Sequence, residues 1–318
     1  RFNSDSSKLE YWNGGAWFQI HSFSPNLDGG SRGTFAGGFA PSNTDRIDFI
    51  TISTAGNATD FGNLLAAKGA AGTCASNTRG LMGGGGGGGN VNTIQFWEFS
   101  STGDAVDFGD LQSARHWTQP ASNQTRGVWA GGHPSSNAIE FVTMASTGNS
   151  VNFGDMSYVT AVGANSANNS PTRGFFGGGT PTNNNIIEFI NFGSTGNSMD
   201  FGDSSTQIAR EARGSNATRA LLIGGVRPEP SASTTIDFFT MSSLGNAVEF
   251  GDSGSTNSNS SGCSDCVRVA FAHGNNPSTT DTIEYVNIST GGDAVDFGNL
   301  SQSRDHLGGC SNGHGGLG

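Results

Sequence analysis

IDFITISTAGNATDFG, from Ile47 to Gly62, decides the fold, because five further copies of it occur along the chain. The copies begin at Ile94, Ile139, Ile187, Ile236 and Ile283. In every copy an aromatic residue follows the Ile by two positions, and a Phe-Gly pair follows it by fourteen. A Gly followed by Asn or Asp lies five residues before that Phe, and such pairs favour tight turns. The stretch therefore predicts two strands joined by a turn.

Each copy is preceded by a second repeated element, which begins with an arginine and ends in glycines, as in TRGVWAGG from Thr125. These arginines recur every 46 to 49 residues and are Arg32, Arg79, Arg126, Arg173, Arg219 and Arg268. The phenylalanines of the Phe-Gly pairs are Phe61, Phe108, Phe153, Phe201, Phe250 and Phe297. One more short strand fits between each Phe-Gly pair and the next arginine. Four short strands with a period of roughly 40 to 50 residues are typical of a β-propeller blade.

The two ends of the repeated region complement each other. RDHLGGCSN, at 304–312, matches the first strand of a unit but lacks the strands that should follow. The first unit, in turn, has strands two to four and only an irregular first strand. The sequence thus predicts an all-β, six-bladed β-propeller over residues 31–318, with blades of about 47 residues, closed by pairing of both termini.

The first 20 residues do not belong to the repeat. Their apolar residues are interrupted by SDSS and NGGA, which predicts a short β-hairpin stem over residues 1–20, followed by a linker at 21–30. An isolated hairpin is only marginally stable in water. We therefore expect this stem to act as an oligomerisation element, or to pack on the propeller.

The charge balance argues against a nucleic-acid partner, and the lack of long apolar runs argues against membrane insertion. The chain has 15 basic and 26 acidic residues, a net charge of −11, and only two lysines. Nucleic-acid binding needs clustered Lys and Arg, and six arginines already belong to the repeat. No run approaches the roughly 20 apolar residues that span a bilayer. We expect neither a nucleic-acid partner nor membrane insertion.

The connections between strands differ in how much they vary. If the strands are numbered outward from the axis, the two-to-three loops and the four-to-one segments emerge on one face, and these vary in sequence and length. Variable loops on a repeated scaffold are the natural place for binding, and Asn, Ser and Thr with a few aromatics suit glycans. The candidate binding residues are His116, Trp117, His133, Tyr158, Asn184, Arg227, Glu229 and Asn276. The alternative is that these loops vary because nothing constrains them.

A polar residue recurs directly after the repeated Ile. It is acidic in five copies and Gln in one, at Asp48, Gln95, Glu140, Glu188, Asp237 and Glu284. Because the acid and the arginine both recur with the frame, we expect them to form a buried structural pair rather than a catalytic one.

No motif indicates catalysis or a cofactor. Asp-Phe-Gly recurs four times without the other parts of a kinase, and the glycines at 83–89 precede no helix that could bind phosphate. Cys263 and Cys266 form a C-x-x-C pair, but a zinc site needs four converging ligands. Together with Cys74 and Cys310 they are interpreted as buried thiols or one local disulfide. We expect no metal, no cofactor and no catalytic residue.

The amino-terminal string RFNSDSSKLEYWNGGAW resembles a short motif that recurs in tail-fibre and other appendage proteins of tailed bacteriophages. The repeats resemble those of phage structural proteins and the kelch repeat. The kelch likeness is incomplete, because the Phe-Gly pair replaces the aromatic and the Trp expected in strand four.

The resemblance implies a virion appendage protein, assembled as a homotrimer with other virion proteins and located on the extracellular virion. Combined with the variable loops, it predicts adhesion to host cell-surface glycans or another receptor. A purely structural virion or surface-layer subunit is the alternative, and a polysaccharide-degrading enzyme is third. A glycosidase needs paired carboxylates, and the acids of the variable loops, chiefly Asp45, Glu229 and Asp281, lie on different blades.

Overall fold

The computed structural model describes residues 2–3, 8–12, 15, 17–20, 31–180, 184–228, 230–275 and 278–317. The chain divides into two compact units, Arg1–Gly30 and Ser31–Gly318. The first unit contains an antiparallel sheet of β1 (Phe2–Asn3), β2 (Lys8–Trp12) and β3 (Trp17–Ile20), in that order. Trp12 pairs with Trp17 across β2 and β3, and the Trp12 side chain is exposed.

The second unit consists of six four-stranded antiparallel sheets, which confirms the predicted six-bladed β-propeller. The innermost strands, which contact one another around the axis, are β27 (Gly308–Ser311), β7 (Gly72–Ala75), β11 (Gln119–Ser122), β15 (Asn168–Asn169), β19 (Ala212–Ser215) and β23 (Ser261–Ser264). The second strands are β4 (Arg32–Ala36), β8 (Arg79–Gly83), β12 (Arg126–Ala130), β16 (Arg173–Gly177), β20 (Arg219–Ile223) and β24 (Arg268–Ala272).

The third strands are β5 (Arg46–Thr51), β9 (Thr93–Glu98), β13 (Ser136–Thr143), β17 (Ile186–Asn191), β21 (Ser233–Thr240) and β25 (Thr282–Asn287). The outermost strands are β6 (Thr59–Asn63), β10 (Val106–Asp110), β14 (Val151–Thr160), β18 (Met199–Asp203), β22 (Val248–Asn257) and β26 (Val295–Asn299). We number the blades 1 to 6 from the one that contains β4. Among the described residues, no helix is long and apolar enough to cross a membrane.

Blade 1 is completed by the carboxy-terminal strand, as predicted. The strand order is β27-β4-β5-β6, and Cys310 on β27 pairs with Thr34 on β4. The Asn312 side chain accepts a hydrogen bond from the Arg32 amide at 2.8 Å, as Asn123 does from Arg126 at 2.9 Å within blade 3. The two ends of the chain therefore reproduce the turn of a continuous blade.

The Phe-Gly pair forms a β-bulge, which explains its fixed spacing. In blade 1, Asp60 pairs with Asp48 and Gly62 with Ile47, so that Phe61 is the extra residue. Its buried ring meets the aromatic ring of the third strand edge to face, with centroids 5.9 Å apart, and equivalent pairs occur in all six blades. A bulge must be kept in register to direct this ring inward, so the spacing does not vary.

The repeated arginine joins neighbouring blades. Its guanidinium lies over the aromatic ring of the third strand, at 4.6 to 5.4 Å from the centroid. It also donates to a carbonyl of the next blade, as from Arg126 to Phe192 at 2.5 Å. The expected pairing of this arginine with the acidic residue beside the Ile was therefore wrong. The arginine acts through cation–π contacts and hydrogen bonds to the backbone instead.

The Gly-Asn and Gly-Asp turns make a second contact between blades. The Gly148 amide donates to Phe108 of the preceding blade at 2.7 Å, and the Asn149 side chain accepts from the Asp110 amide at 3.0 Å. A Cβ on Gly109, the glycine of that Phe-Gly pair, would clash with the Gly148 carbonyl oxygen. The same packing joins blade 6 to blade 1, where Gly298 lies against Gly56.

The carboxy terminus lies across the axis at the face of the one-to-two turns. After β27 the chain enters a 3-10 turn, η1 (Gly315–Leu317), which contacts β15 and β19. Around the axis, the last residue of an innermost strand accepts a hydrogen bond from its neighbour, as Ser122 does from the Ala75 amide at 3.1 Å. Ala75 has no side-chain acceptor or donor, and His314 Nε2 donates to its carbonyl at 2.7 Å. His314 is buried, which lowers its pKa to about 4.

Candidate binding face

The two-to-three loops and the four-to-one segments do emerge on one face, which we call the variable face. Isolated bridges pair one element with the other in five blades: Phe39 with Asp305, Gly69 with Gly86, His116 with His133, Val162 with Thr180, and Ala209 with Val226. The sequence prediction of a shared face is therefore confirmed.

The centre of the variable face is built from strained backbone. Five equivalent residues of the four-to-one segments have φ between 54° and 62°, and we call them the axial mouth: Ala70, Trp117, Arg210, Asn259 and His306. The Trp117 amide donates to Ala70 at 2.6 Å, Ala70 to His306 at 2.7 Å, and His306 to Asn259 at 3.1 Å. Left-handed backbone at non-glycine residues costs roughly 1 kcal/mol or more each and concentrates at functional sites.

Aromatic rings gather at one side of this mouth. The Trp117 ring lies 4.5 Å from the His116 ring and 6.0 Å from the His306 ring, and His116 lies 5.0 Å from His133. We call these four residues the Trp117 cluster. His133 is exposed and the other three are half-buried, so the rings are open to a ligand.

Two polar neighbours hold the cluster in place. The Asn90 side chain hydrogen-bonds His116 Nδ1 at 2.7 Å, and its amide donates to the His133 carbonyl at 3.1 Å. His306 Nδ1 bonds the buried Asp305 carboxylate at 2.8 Å. Burial, with the neighbouring His133 and His306, lowers the pKa of His116 below its usual value. At neutral pH the His116 ring is therefore uncharged and presents an aromatic surface.

Acidic side chains concentrate away from the mouth, on the outermost strands. These residues are Asp60, Asp107, Asp110, Asp155, Asp200, Asp203, Glu249, Asp252 and Asp296. Carboxylates on exposed edge strands hinder edge-to-edge pairing with other sheets. Much of the negative charge thus protects the outer wall, and Asp305 is the carboxylate that contacts a ring of the cluster.

The structure brings together three of the eight candidate residues, namely His116, Trp117 and His133. It adds His306, which the sequence analysis missed. His306 occupies the same position in its four-to-one segment as Trp117, two residues after Arg304 and Arg115 respectively. An alignment of the segments on these arginines would have identified it.

The other candidates lie elsewhere. Tyr158 packs half-buried on β14 against the cluster that contains Phe153, and burial, with Glu188 nearby, raises its pKa above the usual value. Arg227 is buried and pairs with Asp237, while Asn184 lies in the two-to-three loop of blade 4. Glu229 and Asn276 lie outside the described residues.

Three of the acidic residues beside the repeated Ile pair with an arginine or a histidine that does not recur in every unit. Asp48 lies 3.0 Å from Arg304, and Glu284 lies 2.9 Å from His273. Glu140 pairs with Arg115 in the same way. All three carboxylates are buried, so these pairs are part of the blade interior.

The four cysteines are free, so the buried-thiol interpretation is confirmed for three of them. Cys74, Cys263 and Cys310 are buried on innermost strands, and burial raises the pKa of each thiol. Cys266 is exposed. Within the described part of the chain, no group of three His, Cys, Asp or Glu side chains could hold a metal ion.

Comparison of the chain with models of protein families and with curated protein sequences gave no match. What the structure establishes is therefore a six-bladed β-propeller whose variable face carries an aromatic cluster at its axial mouth.

Proposed function

We propose that this protein is the receptor-binding part of a phage virion appendage and attaches to host cell-surface glycans through its variable face. The observation that carries this proposal is the Trp117 cluster, where loops of blades 2 and 3 and the closing segment place four rings at the axial mouth. The apolar face of a sugar ring packs well on an aromatic ring, while surrounding amides bond its hydroxyls. Asn90 places a side-chain amide beside these rings.

The amino-terminal unit supports the virion part of the proposal through its sequence alone. Its likeness to the appendage motif implies a homotrimer that joins other virion proteins, and β1 to β3 would form the stem. Three propellers on one stem would turn weak contacts at single sites into firm attachment. The proposed location is the extracellular virion, without a nucleic-acid partner or membrane insertion. We further propose no catalytic role.

A glycan array tests the proposal. Wild type is compared with Trp117→Ala and with Val267→Ala, because Val267 is 53% exposed at a one-to-two turn on the opposite face. We expect wild type and Val267→Ala to bind a restricted set of glycans, and Trp117→Ala to lose at least about tenfold in affinity, since truncating an aromatic anchor removes its contacts. Equal loss in both variants, or binding unaffected by Trp117→Ala, would refute a site on the variable face.

A second candidate, the structural virion or surface-layer subunit, is favoured by one feature. The outermost strands expose an apolar residue at equivalent positions: Val106, Val151, Met199, Val248 and Val295, each 44 to 55% exposed. Such a regular apolar ring suits packing against neighbouring subunits. A folded, assembled protein that binds no glycan on the array would favour this candidate.

A further inference from the structure

A buried ion pair links each of two four-to-one segments to the blade that follows. Arg304 Nη1 lies 3.0 Å from Asp48 Oδ2, and Arg115 Nη2 meets Glu140. Each carboxylate also accepts a backbone amide of the same segment, as Glu140 Oε2 does from Gln112 at 2.7 Å. In Glu140 one carboxylate oxygen binds the segment backbone and the other binds the cation, whereas Asp48 Oδ2 accepts from both Arg304 and the Ser301 amide.

Blade 2 has the same frame with different residues. Lys68 stands where Arg115 and Arg304 do, directly before the bridge residue Gly69, and Gln95 replaces the acid. Gln95 Oε1 accepts the Leu65 amide at 2.8 Å, so it takes the place of the backbone-binding carboxylate oxygen. Lys68 Nζ donates to Thr93 at 3.4 Å, as Arg115 Nη1 donates to Ala138 at 3.3 Å. By equivalence with Glu140, whose other oxygen meets Arg115, we infer that Gln95 Nε2 lies on the side of the ammonium group.

The Lys68 ammonium group and the Gln95 side-chain amide, both hydrogen-bond donors, are thus buried together. Lys68 is 5% exposed and Gln95 is 1% exposed. Gln95 Nε2 has no acceptor among the described residues, and no described carboxylate forms an ion pair with Lys68. Burial lowers the pKa of Lys68 to about 8, so the ammonium form still predominates at neutral pH. A buried positive charge and a buried amide both need an acceptor.

The glycine run limits the size of that acceptor. A Cβ on Gly85 would lie 3.1 Å from Lys68 Cδ, and one on Gly87 would lie 3.5 Å from Lys68 Cα. The loop is therefore packed closely on the lysine, and a saccharide or phosphate ester could reach Nζ only by displacing it. A single small ion is the charged acceptor that needs the least room there.

We propose that blade 2 binds a chloride-sized monovalent anion between Lys68 Nζ and Gln95 Nε2, in place of the carboxylate that blades 1 and 3 supply. The anion accepts hydrogen bonds from both donors and neutralises the lysine. It also supports the glycine loop, which continues to Asn90 beside His116. This site does not depend on the proposed glycan binding.

Thermal unfolding at constant ionic strength tests the site, with sodium chloride replaced stepwise by sodium gluconate. Because a ligand that binds only the folded state stabilises it, we expect the melting temperature of wild type to rise with chloride and then saturate. Gln95→Glu supplies a carboxylate to Lys68, so its melting temperature should not respond to chloride. Gln112→Glu makes the same change at an exposed position and should keep the wild-type response.

The line width of the chloride nuclear magnetic resonance signal gives an independent readout on the folded proteins. We expect wild type and Gln112→Glu to broaden the signal, and Gln95→Glu to broaden it much less. A wild-type melting temperature independent of chloride, or a response that Gln95→Glu retains, would overturn the proposal. So would loss of the response in Gln112→Glu, which would indicate a general effect of charge.

Discussion

At the scale of single residues, packing explains why both the Phe and the Gly of the Phe-Gly pair recur in every blade. The Phe of the Phe-Gly pair is the bulged residue that fills the blade, and the Gly after it leaves space for the next blade. Gly109 has φ of 147° and packs against Gly148 backbone atoms. Both the conformation and the contact exclude a side chain there.

Gly109→Ala should therefore destabilise the propeller by roughly 2 kcal/mol or more, because backbone atoms of the next blade cannot move aside cheaply. Gly193→Ala is the matched control, since a Cβ there meets no atom within 4 Å. Chemical denaturation of both variants measures the difference. A loss in Gly109→Ala no larger than that in Gly193→Ala would contradict the proposed packing.

At the scale of elements, the strands could be predicted because they repeat. Six copies of the Ile and Phe-Gly pattern reveal periodic burial, and the matching ends at Arg304 and Arg32 reveal the closure. The partner of the acidic residue could not be predicted in the same way. Arg115 and Arg304 lie in segments that differ between blades, and only the packing of those segments brings them to Glu140 and Asp48.

The candidate site could be predicted only in part, for a related physical reason. The variable loops indicated the face, and His116, Trp117 and His133 meet because one bridge joins their two loops. Arg227 was predicted to be a binding residue of a variable loop, but its side chain is buried beside Asp237. Sequence shows that a loop is polar, and it does not show which way a long side chain turns.

Near the carboxy terminus, the buried His314 should make the stability of the protein depend on pH. An unfolded histidine gains its proton near pH 6.5, whereas His314 in the folded protein does so only near pH 4. Between these values the unfolded state binds more protons, so stability that is present above pH 6.5 is lost as the pH falls toward 4. The effect is at most roughly 3 kcal/mol.

We expect His314→Gln, which keeps a donor for the Ala75 carbonyl, to remove this contribution. The unfolding free energy of wild type should fall more steeply than that of the variant between pH 6.5 and 4, as measured by denaturation at several pH values. Parallel curves for the two proteins would show that His314 is not buried as a neutral residue.

At the scale of the whole molecule, the repeated residues hold the blades together, and the residues that differ between blades gather on the variable face. The invariant turns, the arginines and the bulges hold the blades together, and the carboxy terminus occupies the axis at the face of the one-to-two turns. On the variable face the backbone of the axial mouth is strained and the side chains differ from blade to blade. A ring joined by these repeated contacts can tolerate such variation, because they lie outside the loops.

The most direct test of this division is an adsorption isotherm of fluorescently labelled protein on intact bacterial cells that it binds. The account predicts that Trp117→Ala lowers the affinity about tenfold or more, while Val267→Ala on the opposite face binds as wild type does. All three proteins must first show the same melting temperature within a few degrees. If Trp117→Ala adsorbs as wild type does, or if Val267→Ala loses adsorption to the same extent as Trp117→Ala, the variable face is not the binding surface.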